Sequence, residues 1–269
     1  MTQVITFGNF KGGVGKTSNS TMVALELSKR NFKTLLVDLD PQGNATTLYL
    51  KTKANLTDQM VTFDKSLMSS IEEGNLSHSI INIMENLDLM ASAPDFSLYP
   101  RYMEKFKNYN DRVKQFDKLL TPIKENYDYI IIDIPPTISL ITDSALYASD
   151  YSLIVMQTHE ASFTGAETFI KYIQDEVIDT YEAPRLELIG ILAVLMQAGA
   201  PVDEATIINA TETFGESNIL DTKIHAMQRI KRYGITGITF NSKHDKNVFA
   251  VYEKVTDEML KRIEDIEHG

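Results

Sequence analysis

The sequence contains no cysteine in its 269 residues, and it has no long apolar run. Disulfides, thiolate metal sites and iron–sulfur clusters are therefore excluded, because each of them needs cysteine sulfur. No run approaches the roughly 20 residues that cross a bilayer, and the lysine and glycines that begin at Lys11 argue against a signal peptide. With 43% hydrophobic and 23% charged residues, the composition favours a cytoplasmic protein made of one large α/β domain, residues 1–269.

Basic residues are also in deficit, with 26 Lys and Arg against 37 Asp and Glu and a net charge of −11. Taken alone, this balance argues against nucleic acid as a partner. The distribution is uneven, however, because residues 222–246 hold six basic residues and one acid. The six are Lys223, Arg229, Lys231, Arg232, Lys243 and Lys246. A weaker cluster lies at 101–118, and for both clusters a solvated surface is the common interpretation and a phosphate-binding surface the alternative.

A glycine-rich segment from Lys11 to Thr17, with the sequence KGGVGKT, is the most informative feature that is present. It lies between an apolar run, Val4–Phe7, that predicts a strand, and residues 18–30, which predict a helix. Glycines let backbone N–H groups face an anion, and the helix N-terminus adds partial positive charge. In this pattern the lysine, Lys16, reaches the β- and γ-phosphates, and the Thr17 hydroxyl holds Mg²⁺. The segment therefore predicts a nucleoside triphosphate site built from Gly12, Gly13, Val14, Gly15, Lys16, Thr17 and Ser18.

Apolar, β-rich runs alternate with helical stretches along the rest of the chain. Strands are predicted at 34–38, 86–90, 129–133, 152–157 and 186–196, and helices at 111–125, 163–180, 202–214 and 248–266. Continuous apolar strands separated by helices predict an α/β fold of the P-loop NTPase type, with a mostly parallel twisted sheet and helices on both faces. Residues 51–85 are the least patterned, and we expect a peripheral helical insertion there.

Three aspartates, Asp38, Asp40 and Asp133, stand at or just past the ends of predicted strands. Ligands of parallel α/β sheets bind beyond the carboxyl ends of the strands. Asp133 is expected to hold Mg²⁺ through water, and a carboxylate from the Asp38–Asp40 segment to orient or deprotonate the attacking water. A lone aspartate at a strand end is more often a turn residue or a helix cap, but three at one edge beside a phosphate loop favour a catalytic site.

Three blocks of sequence, taken in order, resemble the ParA/Soj partition ATPases of the deviant Walker A superfamily. The blocks are KGGVGKT at 11–17, VDLDPQGNAT at 37–46 and YDYIIIDIPP at 127–136. The resemblance covers nearly the whole chain, and the run DPQGN is its most discriminating part. One departure from the general phosphate-loop pattern is Phe10, where the usual sequence has glycine.

The resemblance implies specific roles for the site residues. Lys11 corresponds to the second lysine of the family, which reaches the phosphates of the partner subunit in an ATP-bound homodimer, while Lys16 binds phosphate in its own subunit. Thr17 is implied to hold Mg²⁺ directly and Asp133 through water. Asp40 corresponds to the residue that positions the hydrolytic water, and Asp38 supports the same segment.

The resemblance also implies a role in moving DNA. In the family, the ATP-bound dimer binds double-stranded DNA without sequence preference, and a centromere-bound ParB-type partner stimulates slow ATP hydrolysis and releases it. This implies a nucleoid-associated protein that segregates plasmids or chromosomes. Its expected DNA surface comprises Arg229, Lys231, Arg232, Lys243 and Lys246. Residues 221–230 are implied to line the adenine pocket, although Ile224-His225-Ala226 stands where family members often have Ile-Pro-Arg.

Two alternatives stay open. A MinD-like membrane-associated ATPase would need a basic amphipathic tail, and residues 247–269 carry six acids against three basic residues, so no membrane partner is expected. A metabolic P-loop ligase of the dethiobiotin synthetase type would share the fold. Lys11 and the DPQGN run argue against such a ligase, and small-molecule-dependent turnover would distinguish the two.

Overall fold

The computed structural model describes residues 1–183, 185–197 and 199–268. Over these residues the strands are β1 (Gln3–Gly8), β2 (Thr34–Asp38), β3 (Ile80–Met84), β4 (Leu87–Met90), β5 (Tyr129–Asp133), β6 (Tyr151–Gln157) and β7 (Glu187–Val194). The α-helices over the same residues are α1 (Lys16–Lys29), α2 (Asn44–Thr57), α3 (Leu67–Glu73), α4 (Tyr99–Tyr102), α5 (Tyr109–Val113), α6 (Gln115–Lys124), α7 (Leu140–Ala148), α8 (Glu160–Tyr172), α9 (Pro201–Phe214), α10 (Gln228–Thr236) and α11 (Lys243–His268). In this part of the chain, no helix combines the length and apolar character needed to cross a membrane.

All seven strands join one sheet in the order β3-β4-β2-β5-β1-β6-β7. Every neighbouring pair is parallel except β3 and β4. Helices cover both faces: Ile130 and Ile132 of β5 belong to one buried layer, while Ile131 belongs to the other. This alternation explains the continuous apolar strands, because a strand covered on both sides has no solvent face. The predicted α/β fold with a mostly parallel sheet is confirmed.

The expectation of a peripheral helical insertion at 51–85 is wrong in part. The segment contains α3, but it also contains β3, which forms an antiparallel edge strand paired from Ile80 with Met90. A tight turn joins β3 to β4 and contains Asn86 at φ +60°, a left-handed conformation that asparagine tolerates better than most residues. An edge strand has one paired side and shows a weaker pattern, and the sequence analysis missed it for that reason.

Three central strands position the functional residues. In the register of the sheet, Asp133 of β5 lies opposite Phe7 of β1 on one side and Asp38 of β2 on the other. The loops that follow β1, β2 and β5 therefore leave the sheet at the same carboxyl edge. The glycine-rich segment and all three aspartates meet there.

Candidate functional site

The glycine-rich loop connects β1 to α1 and ends in a free helix terminus. Gly13 and Gly15 have φ angles of +78° and +92°, a left-handed conformation that residues with a Cβ rarely adopt. Gly15 immediately precedes α1, and no side chain caps the helix start. The first N–H groups of a helix have no intrahelical partner, so this turn can bind an anion. Val14 is buried beneath the loop.

The two lysines of the loop occupy different environments. Lys16 is 5% exposed, and its ammonium donates to the Lys11 carbonyl at 3.2 Å. Burial lowers the pKa of Lys16, with Asp133 and Asp40 acting in the opposite direction. The side chain of Lys11 is exposed, whereas its backbone N–H donates to Asn9 Oδ1 at 2.7 Å. One lysine therefore lies inside the cleft, and the other lies on the surface beside it.

Asp38 and Asp133 form a pair of fully buried carboxylates on adjacent strands. Asp38 Oδ2 accepts two hydrogen bonds of 2.8 Å from Thr46, one from the backbone and one from the hydroxyl. Asp133 Oδ1 accepts from the Ser20 hydroxyl at 3.1 Å, but Asp133 Oδ2 has no partner among the described residues. A buried oxygen without a partner is costly unless a ligand, water or cation completes it. Asp133, with Asp38 beside it, therefore fits a hydrated divalent cation near the loop.

Burial raises the pKa of both carboxyls. The pKa of Asp133 rises to about 7, mainly through loss of solvent and then through repulsion from Asp38. The pKa of Asp38 rises to about 6, mainly through loss of solvent, although the hydrogen bonds from Thr46 oppose the change. A bound cation would favour the ionised forms of both groups.

Asp40 lies two residues after Asp38, in the segment that joins β2 to α2. Its N–H donates to Asp38 Oδ1 at 3.1 Å, and its own Oδ1 accepts from the Gln42 N–H at 2.9 Å. Gly43, at φ +61°, immediately precedes the first residue of α2. These contacts fix the backbone of Asp40 and leave its carboxylate at the wall of the cleft that Lys16 also lines.

A cleft of about 550 Å³ joins these groups. Its polar end is lined by Gly12, Gly13, Gly15, Lys16, Thr17, Ser18 and Asp40, and its other walls include Asn44, Thr47, Leu48, Pro136, Ile230, Lys231 and Tyr233. An adjoining recess of about 200 Å³ shares Ser18 and Ile230 with the cleft. The recess is also lined by Ile224, His225 and Met227, so the segment expected to border an adenine pocket lies directly beside the phosphate loop.

The basic segment 222–246 is divided by the structure. Arg229 donates to the carboxylate of the fully buried Asp245, with Nε–Oδ1 at 2.6 Å and Nη2–Oδ2 at 3.2 Å. Lys231 lies at the rim of the cleft, on the same helix as the exposed Arg232. Lys243 and Lys246 are exposed on the first turn of α11. In the described chain, the four cations Lys231, Arg232, Lys243 and Lys246 form no ion pair with an acidic side chain.

The sequence analysis missed several residues that hold the site together. Thr46 binds both Asp38 and the Ser92 N–H, Ser20 binds Asp133, and Asn9 holds the backbone of Lys11. Thr46 lies in the first turn of α2, but its hydroxyl donates to Asp38 and does not cap the helix, so no local capping pattern marks it. Asn9 bonds to Lys11 two residues away, which is a local turn pattern, but its other partners, Val155 and Ser162, are distant in sequence.

The fold and the site together define a P-loop ATPase of the α/β class. The family model described as an AAA domain matches residues 2–187. The chromosome partitioning protein ParA of Myxococcus xanthus is 30% identical over 74% of this chain and 67% of that protein. The sporulation initiation inhibitor protein Soj of Bacillus subtilis is 30% identical over 74% of each chain. The chain therefore belongs to the ParA/Soj-type ATPases.

Solved structures match the fold over almost the entire chain. A plasmid partition protein from Borrelia burgdorferi aligns with a TM-score of 0.72 at 22% identity, covering 97% of this chain and 99% of that one. Cobyrinic acid a,c-diamide synthase from Mycobacterium smegmatis, with bound ADP and magnesium, aligns with a TM-score of 0.77 at 22% identity, covering 98% and 96%. At this level of identity the two matches support the fold alone.

Proposed function

We propose that this protein is a partition ATPase that hydrolyses ATP to ADP and phosphate and uses the cycle to bind and release DNA. The observation that carries the proposal is the meeting of three features at one sheet edge. These are the KGGVGKT loop, the incompletely bonded carboxylate of Asp133 and the carboxylate of Asp40. The proposal treats residues 1–269 as a single domain, since all seven strands share one sheet.

ATP and Mg²⁺ are the proposed ligands of the cleft. The N–H groups of the loop and the Lys16 ammonium would bind the phosphates, and the recess at Ile224 and Met227 would take the base. Thr17 would hold Mg²⁺ directly and Asp133 through water, since Mg²⁺ usually keeps several of its waters. Bound Mg²⁺ would neutralise charge on the phosphates. The M. smegmatis enzyme, which shares the fold, has ADP and magnesium bound.

Hydrolysis would use Asp40 as the group that orients the attacking water. Its backbone is fixed by Asp38 and its side chain by the Gln42 N–H, so the carboxylate is held at the cleft wall. Positioning supplies most of the protein's contribution to phosphoryl transfer. The proposed turnover is slow until a partner protein completes the site.

A homodimer is proposed for the ATP-bound state, with Lys11 as the residue that crosses the interface. The side chain of Lys11 is exposed, while Lys16 occupies the cleft of its own subunit. An exposed lysine at a phosphate loop suits the phosphates of a second subunit better than those of its own.

DNA and a ParB-type protein are the proposed macromolecular partners, in keeping with the M. xanthus relative's name as a chromosome partitioning protein. The proposed DNA surface comprises Arg232, Lys243 and Lys246, with Lys231 at its cleft side. Arg229 is left out, because its guanidinium is bound to Asp245. Phosphate contacts of this kind would place the protein on the nucleoid without sequence preference.

The test is a paired assay of the purified protein. Phosphate release from ATP is measured alone and with random-sequence duplex DNA, and DNA binding is measured with ATP, with ADP and without nucleotide. Slow hydrolysis and DNA binding that needs ATP would support the proposal. Turnover that occurs only when a small carboxylic acid is supplied would instead indicate a ligase related in fold to the M. smegmatis enzyme.

A further inference from the structure

Asn9 is a buried polar residue between β1 and the phosphate loop. It is 0% exposed, so its amide must find all its partners inside the protein. Nδ2 donates to the carbonyls of Val155 at 2.9 Å and Ser162 at 3.1 Å, and Oδ1 accepts from the Lys11 N–H at 2.7 Å. Two carbonyls require donors and one N–H requires an acceptor, so the chemistry leaves one orientation of the amide.

These hydrogen bonds tie three elements together at the position of Lys11. Val155 belongs to β6, Ser162 belongs to α8, and Lys11 begins the phosphate loop. The Lys11 carbonyl in turn accepts from the Lys16 ammonium at 3.2 Å. The backbone of Lys11 is therefore fixed on its N–H side by Asn9, although its side chain is exposed.

The packing of α8 reserves space for this arrangement. A Cβ at Gly165 would lie 2.5 Å from Asn9 Oδ1 and 3.2 Å from the Lys11 nitrogen, and the first of these distances is too short for any Cβ contact. Glycine inside a helix is less stable than alanine at the same position. The helix gives up that stability at the point where it touches Asn9 and Lys11.

We propose that Asn9 is a positioning residue for Lys11, and that Gly165 keeps the space that Asn9 needs. The amide of Asn9 sets the direction in which the Lys11 side chain leaves the protein surface. This inference rests on the proposed role of Lys11 in ATP hydrolysis by the dimer. Asn9 lines neither the cleft nor its adjoining recess.

The first measurement is hydrogen exchange of the Lys11 amide in the absence of nucleotide, which does not depend on ATPase activity. The amide should exchange slowly in the wild type and at least about tenfold faster in Asn9→Ala, because its acceptor is lost. Thr6→Val is the matched control, since Thr6 is buried on β1, just before Asn9, and bonds to Ser149. Free exchange of the Lys11 amide in the wild type would overturn the proposal, whatever the ATPase assay shows.

The second measurement is a double-mutant cycle on the rate of ATP hydrolysis. Asn9→Ala should lower kcat by about 10- to 100-fold, because a misplaced group loses that order of rate. The same substitution should have no further effect on kcat in Lys11→Ala, since the side chain that it positions is gone. Wild-type kcat in Asn9→Ala would overturn the positioning role. Losses that multiply in the double variant would show that Asn9 acts independently of Lys11, which would overturn it as well.

Gly165→Ala keeps the test decisive if Asn9→Ala does not fold. Alanine favours the helix but presses on Asn9 and Lys11, and overfilling a packed site destabilises a protein. We therefore expect kcat to fall in a variant that still folds, with a melting temperature somewhat below that of the wild type. Unchanged kcat in this variant would contradict the proposal. A wild type that does not hydrolyse ATP, but has a protected Lys11 amide, would refute the proposed function and leave the positioning role supported.

Discussion

Arg229 and Asp245 form an ion pair that joins α10 to the start of α11, with 2.6 Å between Arg229 Nε and Asp245 Oδ1. Asp245 also accepts from the hydroxyls of Tyr233 and Thr239 and from the Ser242 N–H. Burial acts to raise the pKa of Asp245, but the bonds from Arg229 and Tyr233 outweigh it and hold the pKa well below its usual range. The pair therefore makes Arg229 a structural residue within a segment whose other cations are exposed.

Arg229→Ala should lower the melting temperature by about 5 °C or more, because it removes the charged partner of a buried carboxylate. A carboxyl with a lowered pKa stabilises the fold above its unfolded pKa of about 4 and loses this contribution as pH falls. The difference from the wild type should thus be full at pH 7 and shrink below about pH 4. Thermal unfolding over a pH series measures it, with the exposed Arg232→Ala as the control that should melt like the wild type.

Arg232→Ala combined with Lys246→Ala should weaken ATP-dependent DNA binding and reduce its dependence on salt. Each lost phosphate contact should flatten the log–log slope by about 0.9, while hydrolysis without DNA continues at the wild-type rate. Lys33→Ala with Lys261→Ala is the control, because it removes the same charge from exposed positions outside the proposed surface. Filter binding over a salt series measures the affinity and the slope for the wild type and for both double variants. Equal slopes in both double variants would place the DNA surface elsewhere, with 101–118 the next candidate.

Lys11→Ala should leave the protein able to bind ADP but monomeric with ATP. The loop N–H groups and Lys16 supply the contacts within one subunit, so nucleotide affinity should fall only a few-fold. Light scattering with a non-hydrolysable ATP analogue, alongside titration with ADP, separates the two effects. Normal dimerisation of the variant would contradict a role for Lys11 across the interface.

Asp40→Ala should bind ATP and form dimers but hydrolyse ATP about 100-fold more slowly or worse, the order expected for loss of a proton-handling or water-orienting group. Its backbone hydrogen bond to Asp38 does not need the side chain, so the fold should be kept. Single-turnover hydrolysis measures the chemical step. A wild-type rate would remove Asp40 from the mechanism.

Asp133→Asn should stabilise the nucleotide-free protein at pH 8 while it abolishes Mg²⁺-dependent hydrolysis. The pKa of Asp133 is raised to about 7, so its ionised form destabilises the fold, and stability is lost as pH rises from about 4 through 7. The variant escapes this loss, so its advantage should be largest at pH 8 and should shrink toward pH 5. Urea unfolding at both pH values provides the measurement. A variant that is less stable than the wild type at pH 8 would contradict the assignment.

The sequence by itself determined the class of fold and the chemistry of the loop. The strands at 34–38 and 129–133 were predicted at their observed bounds. A strand buried on both faces has an unbroken run of apolar residues, which is easy to recognise in a sequence. The KGGVGKT segment was equally readable, since a phosphate loop depends on local glycine conformation and on the helix that follows it. Such features depend on neighbours in the chain.

Only the tertiary structure decided which of the candidate residues lie together and which have different roles. Asp38 and Asp133 are 95 positions apart in the sequence, and they are neighbours only because β2 and β5 are adjacent strands that place them in register. Arg229 and Arg232 look alike in the sequence, yet one pairs with buried Asp245 and the other is exposed. Asn9 gains its partners from β6 and α8. Long-range pairing depends on how the elements pack, and no local pattern encodes it.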